Sequence, residues 1–179
     1  MQGKMLTTGL TLIVACGTLT VLGEVQQDSA AQAQRQADAR TTEQLQLARE
    51  LPSNPPDVAA AFVDLLAEGG STAAQEGCLL FDASAAVEFA ANYHAPNCIT
   101  AMTQLQSQVG DPAMYANDLS VPETAWAQIG STASLNGCAL QWSGAFSDDS
   151  ARAPGPLPGQ WALTQLEGEG WQITQYRKC

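Results

Sequence analysis

Positive charge is the scarcest property of this 179-residue chain: seven Lys and Arg stand against eighteen Asp and Glu, for a formal charge of −11. Residues 51–151 contain no Lys or Arg at all. A phosphate backbone needs a patch of cations, so nucleic acid is excluded as a partner, and the same field repels anionic headgroups. Histidine is nearly missing too, with His94 alone. One His without a C-x-x-C pair offers no zinc set, and Asp148-Asp149 lacks the spacing of a calcium loop, so no metal is expected. The sequence has no G-x-S-x-G, no H-E-x-x-H and no phosphate-cradling glycine motif, and no cofactor is implied. Repeats of collagen or heptad type are absent as well. With 45 % hydrophobic residues and few charges, the composition is that of a globular chain with room for one domain and its appendages.

One long apolar run is present. Met5 to Gly23 carries no charge, follows Lys4 and precedes Glu24 and Asp28. Its 19 residues fall within the roughly 17–25 that cross a hydrocarbon core, whereas the core of a cleavable signal is about 7–15. The charge order places the N-terminus in the cytoplasm and the rest outside, as a single-pass signal anchor. Two other routes fit the same residues. Ile13-Val14-Ala15-Cys16 resembles a lipobox, with Cys16 as the lipidated residue, and simple secretion after cleavage would also export the domain. For the anchor and the lipoprotein the partner nearest at hand is the membrane, through the N-terminal segment.

Residues 24–54 have no aromatic side chain, and thirteen of the thirty-one are Ala or Gln. This is an Ala/Gln-rich stalk or linker that Pro52-Ser53-Asn54-Pro55-Pro56 ends. The expected organisation is therefore 1–23 targeting segment, 24–54 linker and 55–179 extracytoplasmic domain.

Four cysteines remain in that domain: Cys78, Cys98, Cys138 and Cys179. An even number without metal-ligand spacing suits two disulfides in an oxidising compartment. Of three connectivities, the sequential one, Cys78–Cys98 with Cys138–Cys179, is preferred, each bond contributing about 3–4 kcal/mol if unstrained. A simple meander works against the second pair, since it sets Cys138 and Cys179 at opposite ends of their strands. Sheet curvature, a different strand order or a Cys98–Cys179 bond would each resolve this.

The first half of the domain has a helical period. Val58, Phe62, Leu65 and Leu66 recur at helical spacing until Gly69-Gly70. Thr72-Ala-Ala-Gln75 resembles a capping box for a second helix running through Cys78 and Leu79. Asp82 or Ser84 caps a third, with Ala86, Phe89, Ala90 and Tyr93 on one face. A fourth starts near Cys98, with Ile99, Met102, Leu105 and Val109 as its inner stripe, and Gly110 and Pro112 close it. After Pro122 the period becomes two. Strands are expected at Thr124–Gln128, Ser131–Leu135, Cys138–Ser143, Gln160–Glu167 and Trp171–Lys178. Asn136-Gly137 reads either as a two-residue hairpin or as a bulge in one long strand. Helices followed by an antiparallel meander make an α+β domain.

This order resembles the nuclear-transport-factor-2-like fold, a cystatin-like α+β cone in which N-terminal helices pack in the concavity of a curved sheet. A narrower likeness covers residues 55–179. Cys78…Phe81…Phe89…Ala95-Pro96-Asn97-Cys98, then Gly137-Cys138-Ala-Leu-Gln-Trp142-Ser, then Gly168-Glu-Gly-Trp171…Tyr176…Cys179 are similar to a group of small exported proteins of high-GC Gram-positive bacteria. The resemblance implies the cone and says little of activity, since that fold hosts isomerases, cyclases, dehydratases and noncatalytic accessory domains. Its ketosteroid-isomerase-like members pair a carboxylate base with a Tyr and a protonated acid. No spacing here identifies that set.

The candidate pocket residues are Asp82, Tyr93, His94, Trp126, Trp142 and Tyr176. His94 with Asp82 is the one acid/base pair on offer, against the commoner role of a His at a helix C-terminus. The four Trp with Tyr176 either line an apolar pocket in the mouth of the cone or fill the interface between helices and sheet. The expectation is a tethered accessory or binding domain without catalytic activity, its ligand or protein partner unspecified. A small isomerase- or cyclase-type enzyme and a structural spacer are the alternatives.

Overall fold

The computed structural model describes residues 51–143, 154–167 and 170–179, preceded by Ala39, Gln46 and Glu50, all three helical. The chain divides into Met1–Gln44 and Leu45–Cys179, and the fold described below belongs to the second unit. The targeting segment 5–23 with Cys16, and most of the linker, lie outside the described residues. Among the described residues no helix is long and apolar enough to cross a membrane.

Within residues 51–143, five short helices come first. In α1 (Pro55–Glu68), Asn54 accepts from the Asp57 amide at 3.0 Å and Pro55 occupies the first turn, while Val58, Ala59, Phe62, Val63 and Leu66 are buried. Gly69 and Gly70 both take positive φ, 71° and 86°, and reverse the chain. That turn supplies the start of α2 (Gly70–Leu79) by itself. The expected capping box at Thr72 therefore does not form: the helix has already begun two residues earlier, and no side chain caps it.

Asp82 caps α3 (Ala83–Asn92), accepting from the Ala85 amide at 2.7 Å and from the Ser84 hydroxyl at 2.9 Å. Asn97 caps α4 (Cys98–Gln106), accepting from the Thr100 amide at 2.9 Å. The inner stripe of α4 is Cys98, Ala101, Met102 and Leu105, and Ile99 is 40 % exposed, contrary to expectation. Directing Cys98 toward Cys78 sets the phase, and the i, i+3, i+4, i+7 series then turns Ile99 outward. A fifth helix, α5 (Pro112–Asn117), is too short to show a period in the sequence. Asp111 accepts from the Met114 amide to cap it, and its Tyr115 is fully buried.

The strands form two antiparallel sheets. β2 (Trp126–Ile129), β3 (Thr132–Asn136), β5 (Gln160–Gln165) and β6 (Trp171–Arg177) lie in that order, and β1 (Leu119–Ser120) pairs separately with β4 (Gln141–Trp142). Residues Glu123–Ala125 are a 3-10 turn, so β2 starts at Trp126 and not at Thr124. Helices with antiparallel sheets confirm the α+β class.

Asn136-Gly137 is neither hairpin nor bulge. The strand ends there, Gly137–Ala139 make one 3-10 turn with the Asn136 side-chain Oδ1 accepting from the Cys138 amide at 3.2 Å, and the chain leaves for β1. Gly137 lies so close to the Gly159 backbone that a Cβ would collide with it, which forces glycine and the departure together. The expected strand Cys138–Ser143 is thereby corrected to a two-residue strand outside the main sheet.

This departure also removes the difficulty over the second disulfide. Asn136 pairs with Gln160, and Gln160 with Arg177, so Cys138 and Cys179 emerge at the same end of the sheet. Their Cα atoms are 5.7 Å apart and the bond is made, as is Cys78–Cys98 with Cα atoms 6.0 Å apart.

A bulge sits in β6. Ala162 pairs with Gln175 but Leu163 with Ile173, so Thr174 is the extra residue, and the shift puts Trp171, Ile173 and Tyr176 on one buried face. The core lies between that face and the helices. Phe62 of α1 meets Phe81, Phe89 and Trp161 edge-on, with ring centroids 6.0, 6.1 and 5.3 Å away, and Phe89 stacks on Phe81 at 4.8 Å. The α2–α3 connection is stitched to the edge of β6: Ile173 donates to the Leu80 carbonyl at 2.7 Å, and Asp82 donates to the Ile173 carbonyl at 2.8 Å.

Candidate functional site

Register defines two faces of the main sheet. Trp126, Leu135, Trp161 and Tyr176 are partners across its four strands and form one row; the last three are buried. The rows on either side, Ser134–Ala162–Gln175 and Asn136–Gln160–Arg177, point to the opposite face because side chains alternate along each strand. Ser134, Asn136, Gln160, Gln175 and Arg177 are all exposed.

An open groove of about 830 Å³ is lined by these rows, by Glu88, Ala91 and Asn92 of α3, and by Thr124–Ala127. A second depression, of about 700 Å³, is lined by Glu123, Gln128 and Gly130 and adjoins the first at Ala127 and the half-buried Trp126, which line both. The groove mixes apolar and polar residues and is close to neutral. Its lining has one acid, Glu88, and one base, Arg177, while Asn92, Thr124, Ser134, Asn136, Gln160 and Gln175 contribute amides and hydroxyls. Glu88 is engaged, its Oε2 accepting from the Tyr176 amide at 3.0 Å, and Asn92 donates to the Glu88 carbonyl at 2.8 Å.

The sequence candidates separate. Tyr93 and Tyr176 come together, their hydroxyls 2.7 Å apart, with the Lys178 ammonium 4.6 Å from the Tyr93 ring centroid. Tyr176 and Trp126 both line the groove. Burial pushes the Tyr176 phenol well above the ordinary tyrosine value, and neighbouring Tyr93 adds to the rise. Burial raises Tyr93 too, partly offset by its hydrogen bond with Tyr176. Both phenols are consequently neutral donors at physiological pH, and neither is a base.

Asp82 and His94 stand elsewhere. The Asp82 carboxylate is occupied as the α3 cap. His94 follows that helix with a positive φ of 52°, its side chain exposed and its amide donating to Ala91 at 3.1 Å. Trp142 lies in neither depression; it stacks on Tyr115, centroids 5.4 Å apart, and its indole donates to the Tyr115 carbonyl at 2.8 Å. Trp161 and Trp171 are buried in the core. Among the described residues the buried side chains are apolar except for the tyrosines and tryptophans, and no group of His, Cys, Asp and Glu there could hold a metal ion.

The groove's polar lining was missed by motif reasoning. Its signal was the other half of the strand alternation, the residues between the apolar ones, which carry no spacing of their own. Comparison of the chain with protein-family profiles, with curated proteins and with solved structures finds no match.

Proposed function

We propose that the chain is a membrane-tethered extracytoplasmic binding domain of nuclear-transport-factor-2-like type, which receives a ligand or partner in the open groove of its sheet and performs no chemistry on it. The observation that carries this reading is the contrast between interior and groove. The space between helices and sheet is occupied by Phe62, Phe81, Phe89 and Trp161 packed ring to ring, while the polar rows on the other face of the same sheet line an accessible depression. A binding surface needs shape and hydrogen-bonding groups, and it needs no titratable pair. Two disulfides agree with an oxidising compartment, and the uncharged run 5–23 supplies the tether.

Three measurements on the full chain test this. Protease added outside intact cells is expected to remove the domain while the N-terminal segment stays with the membrane fraction; a fully protected domain would overturn the topology. Membrane retention that survives Cys16→Ser assigns the tether to the apolar run, and loss of retention assigns it to lipidation. A photo-crosslinking residue at Gln160 or Gln175 is expected to give adducts in the host cell that the same residue at the exposed Glu76 of α2 does not. Equal adducts, or none, at the groove positions would reject the groove as the binding face.

A further inference from the structure

We propose that the groove is built for a neutral polyhydroxylated ligand, a short oligosaccharide lying across β3, β5 and β6. This rests on the binding-domain reading above and adds the class of ligand. The argument is one of matching groups. Ser134, Asn136, Gln160 and Gln175 stand on adjacent strands on one exposed face, and hydroxyls and primary amides each donate and accept at the same site. Vicinal sugar hydroxyls present that same pairing of donor and acceptor, repeated at short intervals along a chain.

Other ligand classes fit less well. A phosphate or polycarboxylate needs several cations, and the lining supplies Arg177 alone. A polyamine needs several acids, and Glu88, the one present, already accepts from the Tyr176 amide. An apolar ligand would strip water from the amides and leave them unpaired. The volume of about 830 Å³ lies in the range of about 300–1,000 Å³ typical of small-ligand clefts.

The test uses the full chain in detergent with its disulfides intact, titrated with three neutral linear hexasaccharides: a β-1,4-glucan, an α-1,4-glucan and an α-arabinofuranan. Saturable binding of at least one is expected, read by tryptophan fluorescence and by shifts of the Gln160 and Gln175 side-chain amides. The double variant Gln160→Ala/Gln175→Ala should weaken it about tenfold or more, the effect of losing roughly 1.4 kcal/mol of contact, without moving the unfolding temperature. No saturable binding by any of the three overturns the proposal, as does binding that the double variant leaves unchanged. If Gln160 and Gln175 give specific protein adducts in cells while every glycan fails, the ligand class is wrong and the binding-domain reading stands. Failure of both glycan binding and groove adducts removes the two together.

Discussion

The two faces of the four-stranded sheet are built from the same strands, often from consecutive residues, yet they are opposite in kind. On one, Leu135, Trp161 and Tyr176 are buried against Phe62, Phe81 and Phe89. On the other, Ser134, Gln160 and Gln175 are exposed. Alternation alone produces both, and the bulge at Thr174 keeps the alternation in phase with the core where β6 would otherwise turn its aromatic residues outward. The lesson is a division of labour: the aromatic face holds the domain together, and the polar face is free to vary its chemistry with little cost in stability.

Breaking the aromatic face should have the largest effect. Phe89→Ala removes a ring that touches Phe62, Phe81, Tyr93 and Tyr176, and a loss of about 3–5 kcal/mol is expected by chemical denaturation. A loss under about 1 kcal/mol would mean that the helices are not packed on this face as described. Next in size are the staples. Cys138→Ser with Cys179→Ser opens a loop of 41 residues and should cost about 2–4 kcal/mol, somewhat more than opening the 20-residue loop of Cys78–Cys98. The reverse order would show that the helical staple carries strain relief or contacts beyond loop closure.

A smaller effect follows from the tyrosines at the border of the two faces. Tyr93, Tyr115 and Tyr176 all have phenols raised by burial. A group whose folded pKa is raised contributes stability that is complete below its unfolded value, about 10 for tyrosine, and is lost as the pH climbs from there toward the folded values. The domain is therefore expected to hold its stability up to about pH 10 and to lose it steeply above. Tyr176→Phe should make that loss shallower, since it removes one of the three titrating phenols, and should cost about 1 kcal/mol at neutral pH for the lost bond to Tyr93. An alkaline limb unchanged in Tyr176→Phe would place the responsible group elsewhere.

Much of this contrast was legible in the sequence. The α+β order, a helix start at Asp82 or Ser84, the Gly69-Gly70 stop and two disulfides among the four cysteines all follow from local chemistry that the fold left undisturbed. What escaped depends on distant partners. The fate of Asn136-Gly137 is decided by Gly159, twenty-two residues on, and the phase of α4 by the bond from Cys98 to Cys78. The site was the least legible part. Of six candidates, Tyr93 and Tyr176 meet, Trp126 joins Tyr176 at the groove, and Asp82, His94 and Trp142 serve a cap, a turn and a separate stack. Rare residue types drew attention there, whereas the groove is lined with common amides whose only distinction is the face they occupy.

The smallest expected effect is the sharpest test of the polar face. Gln160→Thr and Gln175→Thr place β-branched side chains at exposed positions on adjacent strands, where strand propensity favours them and nothing is packed. Each should change stability by less than about 0.5 kcal/mol, with either sign, in a denaturant titration of the oxidised chain. A loss several times larger would mean that the polar row is itself covered, by another part of the chain or by a second molecule, and the contrast between a structural and a free face would fail. A null result leaves these glutamines with no role in holding the sheet, so that any change they cause in ligand binding reports on the ligand alone.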